Sequence, residues 1–178
     1  MLHVRSAPLR PGPTVGLVAL LLVGCARDSA PVGTQAPPPW PDGVLARLAG
    51  SDGMRIFALH PRPEELAGGG ALLEDFHGYP ILGQATVPDP SRRDLLLRLL
   101  EDGIEASDGS AAHCFEPRHG LSVTAGSTTV DYVICFECRQ IQVVENGQRQ
   151  PDVLTSDAHA GDVTRFFEGA GLVVHSDG

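Results

Sequence analysis

The chain has 178 residues, 42% of them hydrophobic and 20% charged, which allows one folded domain beside a targeting segment and a linker and excludes disorder throughout. Its 13 basic residues, all Arg, face 22 acids, for a formal net charge of −9. A surface of that sign repels phosphate backbones and anionic headgroups, which argues against nucleic acid as a partner.

Residues 1–13 carry Arg5 and Arg10 and no acid, and the apolar run from Val15 to Val23 follows them. This is the order of a secretory signal, and the run is well short of the roughly 20 residues that span a bilayer. Leu22-Val23-Gly24-Cys25 resembles the lipobox of bacterial lipoproteins. The resemblance implies acylation of the Cys25 thiol and loss of residues 1–24. With Ala26 rather than Asp next in line, it also implies transfer to the outer membrane, facing the periplasm or the surface. The alternative is a secreted protein in which Cys25 merely ends an apolar segment. The shortened chain carries 11 basic against 22 acidic residues, formally −11. Residues 25–42 hold five prolines and little to bury, which suits a tether between membrane and domain. Pro37-Pro38-Pro39-Trp40-Pro41 also has the preformed shape that a proline-recognising groove accepts, although a spacer is the simpler role.

Residues 43–178 read as a single α+β domain. Val44 to Ala49 forms a short helix before Gly50, and Met54 to Leu59 a strand that Pro61 and Pro63 close. Beyond Gly68-Gly69-Gly70, which lacks the Lys-Ser/Thr ending of a phosphate loop, Tyr79 to Val87 forms a second strand. Asp89 caps and Pro90 opens a helix to about Ala106, with Leu96, Leu99, Leu100 and Ile104 on one face. Strands follow at Leu121–Ala125, Thr129–Glu137 and Gln140–Glu145, with Gly126-Ser127 and Asn146-Gly147 as turns, and a last one at Asp152–Thr155. Val130, Tyr132, Ile134 and Phe136 share the face that meets the helix. Ala158 to Gly169 closes the chain as a helix with Val163, Phe166 and Phe167 inward. Hairpin-length connections imply a small antiparallel sheet with one or two helices on one face.

With Cys25 assigned to lipid, three cysteines remain: Cys114, Cys135 and Cys138. In an envelope protein the plain reading is one structural disulfide from Cys114 to Cys135 or Cys138, leaving one thiol. A second reading adds His119 and makes the four residues zinc ligands, zinc being the cofactor it implies. Cys135 and Cys138 lie in what reads as strand, so chelation there needs a bulge or a strand end. A third reading is thiol redox chemistry at Cys-x-x-Cys beside Arg139, without the strand-to-helix context such sites normally have. Glu116, Arg118, His119 and Glu137 could supply acid and base groups or a hydrogen-bonded loop. His60, His77, His113, His159 and His175 are scattered singly.

On the blocks Phe76-His77-Gly78-Tyr79, Cys114-Phe115-Glu116-Pro117-Arg118-His119-Gly120 and Val130 to Cys138, the chain resembles a family of uncharacterised bacterial envelope proteins that share them in this order. The resemblance covers roughly residues 53–172. It implies a domain boundary and importance for Cys114, Arg118, His119, Cys135 and Cys138, and it implies no reaction. The favoured function is therefore a non-enzymatic binding or structural domain held to a membrane by lipid, with an envelope protein as partner. The alternative is a zinc or thiol-redox protein built on the Cys114, His119, Cys135 and Cys138 cluster.

Overall fold

Tight turns with left-handed backbone set the register of the sheet. The computed structural model describes Leu48, residues 50–66 and residues 74–176. The signal, lipobox, tether and glycine run lie outside these residues, as does most of the Val44–Ala49 helix, of which Leu48 is helical and buried.

In chain order the elements are β1 Gly53–Leu59, α1 Pro63–Leu66, β2 Asp75–Phe76, β3 Tyr79–Thr86, α2 Pro90–Glu105, β4 His119–Ala125, β5 Thr128–Cys135, β6 Gln140–Glu145, β7 Gln148–Arg149, β8 Val153–Leu154 and α3 Ala160–Glu168. Asn146 and Gly147, at φ 50° and 79°, join β6 to β7 as the sequence expects of an Asn-Gly turn. Gly126 at φ 59° opens the β4–β5 turn. A further hairpin has no such signature: His77 at φ 55° and Gly78 at φ 90° join β2 to β3, with a histidine where Asn or Asp is the usual choice.

All the strand pairs are antiparallel, in the order β2-β3-β1-β4-β5-β6-β7, with β8 also on β6. The α+β class expected from the hairpin-length connections is the observed one. β1 lies between β3 and β4, so α2 carries the chain across it. Nothing local in Met54 to Leu59 specifies that position, because pairing partners 22 or more residues away set it.

The sheet curls around one main core. Ile56, Leu121, Tyr132, Ile134 and Ile141 meet Leu96, Leu100 and Ile104 of α2 and Val163, Phe166 and Phe167 of α3. The Val130, Tyr132, Ile134 and Phe136 face is the one expected to meet the helix, and all four join this core. The N-cap is also as read: Asp89 Oδ1 accepts the Ser91 N–H at 2.8 Å, with Pro90 in the first turn. The apolar stripe of α2 is rotated slightly from the expected one, since Leu97 is buried and Leu99 only partly so.

The opposite face holds a smaller cluster of Phe57, Leu59, Phe76 and Val133, flanked by Tyr79, Ile81 and Phe115. Phe57 and Phe76 stack with centroids 4.3 Å apart. Gly120 pairs with Phe57 across β1 and β4 and makes room for that stack: a Cβ there would come within 2.8 Å of Phe76 Cδ1 and 3.2 Å of Phe57 Cβ. Gly120→Ala is therefore expected to destabilise the fold by about 1–3 kcal/mol through overpacking. Urea unfolding of the two proteins checks this, and equal midpoints would contradict it.

Candidate functional site

The second and third motif blocks meet at one end of the β4–β5–β6 meander. β5 ends at Cys135, which pairs with Gln140 at the start of β6. Phe136, Glu137, Cys138 and Arg139 make the turn, closed by Arg139 N–H to Phe136 O at 3.0 Å and by Arg139 at φ 55°. Because the strand stops at Cys135, the rule that residues three apart face opposite ways no longer applies. Cys135 and Cys138 come together with Cα atoms 5.1 Å apart and form a disulfide.

This corrects the expected bridge to Cys114, which is a free, exposed cysteine. It also corrects the four-ligand zinc reading. Disulfide sulfurs are not thiolates, and among the described residues no group of three or more His, Cys, Asp or Glu is placed to hold a metal ion.

Main-chain groups of Glu116 bracket the disulfide. Its N–H donates to Cys138 Sγ at 3.3 Å, and its carbonyl oxygen lies 3.4 Å from Cys135 Sγ. The Glu116 side chain turns away to accept from Arg62 at 3.1 Å. Two residues on, the Arg118 guanidinium donates to Glu137 Oε2 at 2.9 Å, an ion pair whose Arg side chain is only 10% exposed and whose Glu is 67% exposed.

His119, next in sequence, is deeply buried, with Nε2 3.1 Å from Thr164 Oγ1 on α3. Its ring meets Phe136 edge-on at 5.5 Å and Phe167 at 4.9 Å. Burial, and then the neighbouring Arg118 charge, lower its pKa from the ordinary 6.5 to about 4. It is therefore neutral at physiological pH.

These groups line a cleft of about 420 Å³, Arg118, His119, Phe136 and Glu137 together with Thr164 of α3 and His175 of the C-terminal segment. The chain matches no family model, no curated protein and no solved structure.

The cleft thus gathers Arg118, His119 and Glu137, with Cys135 and Cys138 beneath its hairpin wall. Cys114 instead lines a separate cavity of about 460 Å³ with His77, Tyr79 and Phe115. Cys25 lies outside the described residues. Thr164 and His175 were not distinguishable by sequence, because Thr164 meets His119 across 45 positions and neither belongs to a local motif. His60 is a satisfied histidine, with Nδ1 3.0 Å from Arg62 O.

Proposed function

We propose that the chain is a lipid-anchored protein of the bacterial cell envelope whose α+β domain is a non-enzymatic binding module, with the Arg118–His119 cleft as its recognition face and an envelope protein as its partner. The observation that carries this reading is the basic segment, apolar run and Leu22-Val23-Gly24-Cys25 in that order. Two features of the domain support it. The Cys135–Cys138 disulfide is a bond that persists in exported proteins. The chemistry of the cleft favours holding a ligand over transforming one: His119 is neutral, buried and engaged by Thr164, which makes it a weak proton acceptor near pH 7. Arg118 offers a largely buried guanidinium whose carboxylate partner stands in solvent, where an incoming anionic group can displace it. No helix among the described residues is long and apolar enough to cross a membrane, and lipid on Cys25 requires none.

Cell fractionation tests the anchor. The full chain is expected in the membrane fraction, and Cys25→Ser in the soluble fraction or the medium. A Cys25→Ser variant that stays with the membrane as completely as the parent would refute the reading.

A further inference from the structure

We propose that the cleft receives the carboxyl-terminal end of a basic partner chain, with its terminal carboxylate on Arg118 and a cationic side chain on Glu168. The proposal rests on the Arg118–His119 cleft being the recognition face and names what that face takes. Among the described residues the cleft carries one Arg, Arg118, and three acids, Glu116, Glu137 and Glu168. The acids differ in their partners. Glu116 accepts from Arg62 at 3.1 Å, a residue outside the cleft lining. Glu137 stands in solvent and holds Arg118 at 2.9 Å. Glu168 is exposed, and its side chain takes part in no hydrogen bond or ion pair among the described residues. Ala160, Thr164 and Glu168 stand four apart on α3, so one face of that helix lines the cleft in steps of about 6 Å. Thr164 meets His119 at 3.1 Å, which ties β4 to the middle of that face. Glu168 lies one turn beyond.

The charges select the ligand. A guanidinium whose side chain is only 10% exposed holds a carboxylate through charge-assisted N–H donors, and Glu137 already supplies such a carboxylate from within the chain. An incoming carboxylate takes its place. A dianion such as phosphate would meet three carboxylates around a single guanidinium, a field of the wrong sign. A carboxylate that brings its own positive group satisfies both Arg118 and the unpaired Glu168. The formal charge of −9 on the whole chain draws a basic partner toward the cleft. A volume of about 420 Å³ is at the small end of ligand sites, which suits the end of a chain rather than a segment running through. Phe136 and Val174 add apolar lining, against which the stem of a long basic side chain can lie.

The test titrates the full chain, purified in mild detergent, with acetyl-Lys-Lys-Ala as the free acid and as the carboxyl-terminal amide, read from the backbone amide NMR shifts of Thr164 and Glu168. The acid is expected to bind at least about tenfold more tightly, through its charge-assisted bonds to Arg118. General attraction to an acidic protein gives the opposite order, because the amide carries the higher positive charge. Glu137→Gln, at an exposed position, is expected to tighten the acid by about threefold by removing the internal competitor, and Glu168→Gln to weaken it by about the same factor. Acid and amide that shift both residues with equal affinity would overturn the proposal and leave the cleft a recognition face. An internal acid, in acetyl-Lys-Lys-Glu-Ala amide, that matches the free acid would overturn the assignment to a chain end. If neither form of acetyl-Lys-Lys-Ala shifts these residues, the proposal and the recognition face fall together.

Discussion

Phe167→Ala is expected to destabilise the domain by about 3–5 kcal/mol, the largest effect of any single substitution considered. Phe167 is fully buried in the main core, on the inward face of α3 beside Val163 and Phe166. The loss combines the transfer free energy of a large aromatic side chain with the cost of the void it leaves. Collapse into that void is opposed by β4 and by the end of α3, where the Leu172 N–H donates to Phe167 O at 3.1 Å. The ring also supplies the edge-on contact that seals His119, at 84° between planes. Water admitted through the void should return the His119 pKa toward its ordinary value. Urea unfolding measures the stability change and imidazole titration by NMR the second effect. A loss below about 1 kcal/mol would show that the site collapses and that Phe167 is not a keystone between α3 and the sheet.

Acidification is expected to cost the fold about 3 kcal/mol between pH 6.5 and pH 4 through His119 alone. The sign follows from its lowered pKa of about 4 in the folded state. Above pH 6.5 the imidazole is neutral in both states and contributes nothing. As pH falls through that value the unfolded chain binds a proton that the folded chain refuses, so stability declines. Below about 4 both states are protonated and the full loss is present. Carboxylates held low, such as Asp162 beside His159 and Arg165 or Asp108 beside Ser110, act below this window. His119→Gln, which keeps a hydrogen-bonding group for Thr164, should flatten the decline between pH 6.5 and 4.5. Urea midpoints of both proteins across that range check it. A parent profile as flat as that of the variant would show that His119 is not desolvated.

Features encoded by neighbouring residues were legible in the sequence. Asp89-Pro90 begins α2, Asn146-Gly147 joins β6 to β7, and the alternation from Val130 to Phe136 puts four side chains into the main core. Features decided by distant contacts were not. The central place of β1 depends on pairing with β3 and β4. β2 is two residues long and its His77-Gly78 turn lacks the usual signature. The cysteine pairing turned on a boundary: with strand extended to Glu137, Cys135 and Cys138 point apart, whereas a strand ending at Cys135 lets a turn bring them together. At the cleft, Arg118, His119 and Glu137 stood out by residue type, but their setting needed α3, whose Thr164 and Phe167 hold the imidazole.

Cys25 precedes the other three cysteines of the chain. With that residue given to lipid, the domain keeps three cysteines, and the structure pairs two of them and leaves Cys114 free. Mass spectrometry of the N-terminal peptide of the full chain expressed in a bacterial host tests the assignment most directly. The account predicts a chain beginning at Cys25, with diacylglycerol on its sulfur. An N-terminal peptide that still contains residues before Cys25, or an unmodified Cys25 thiol, would contradict it.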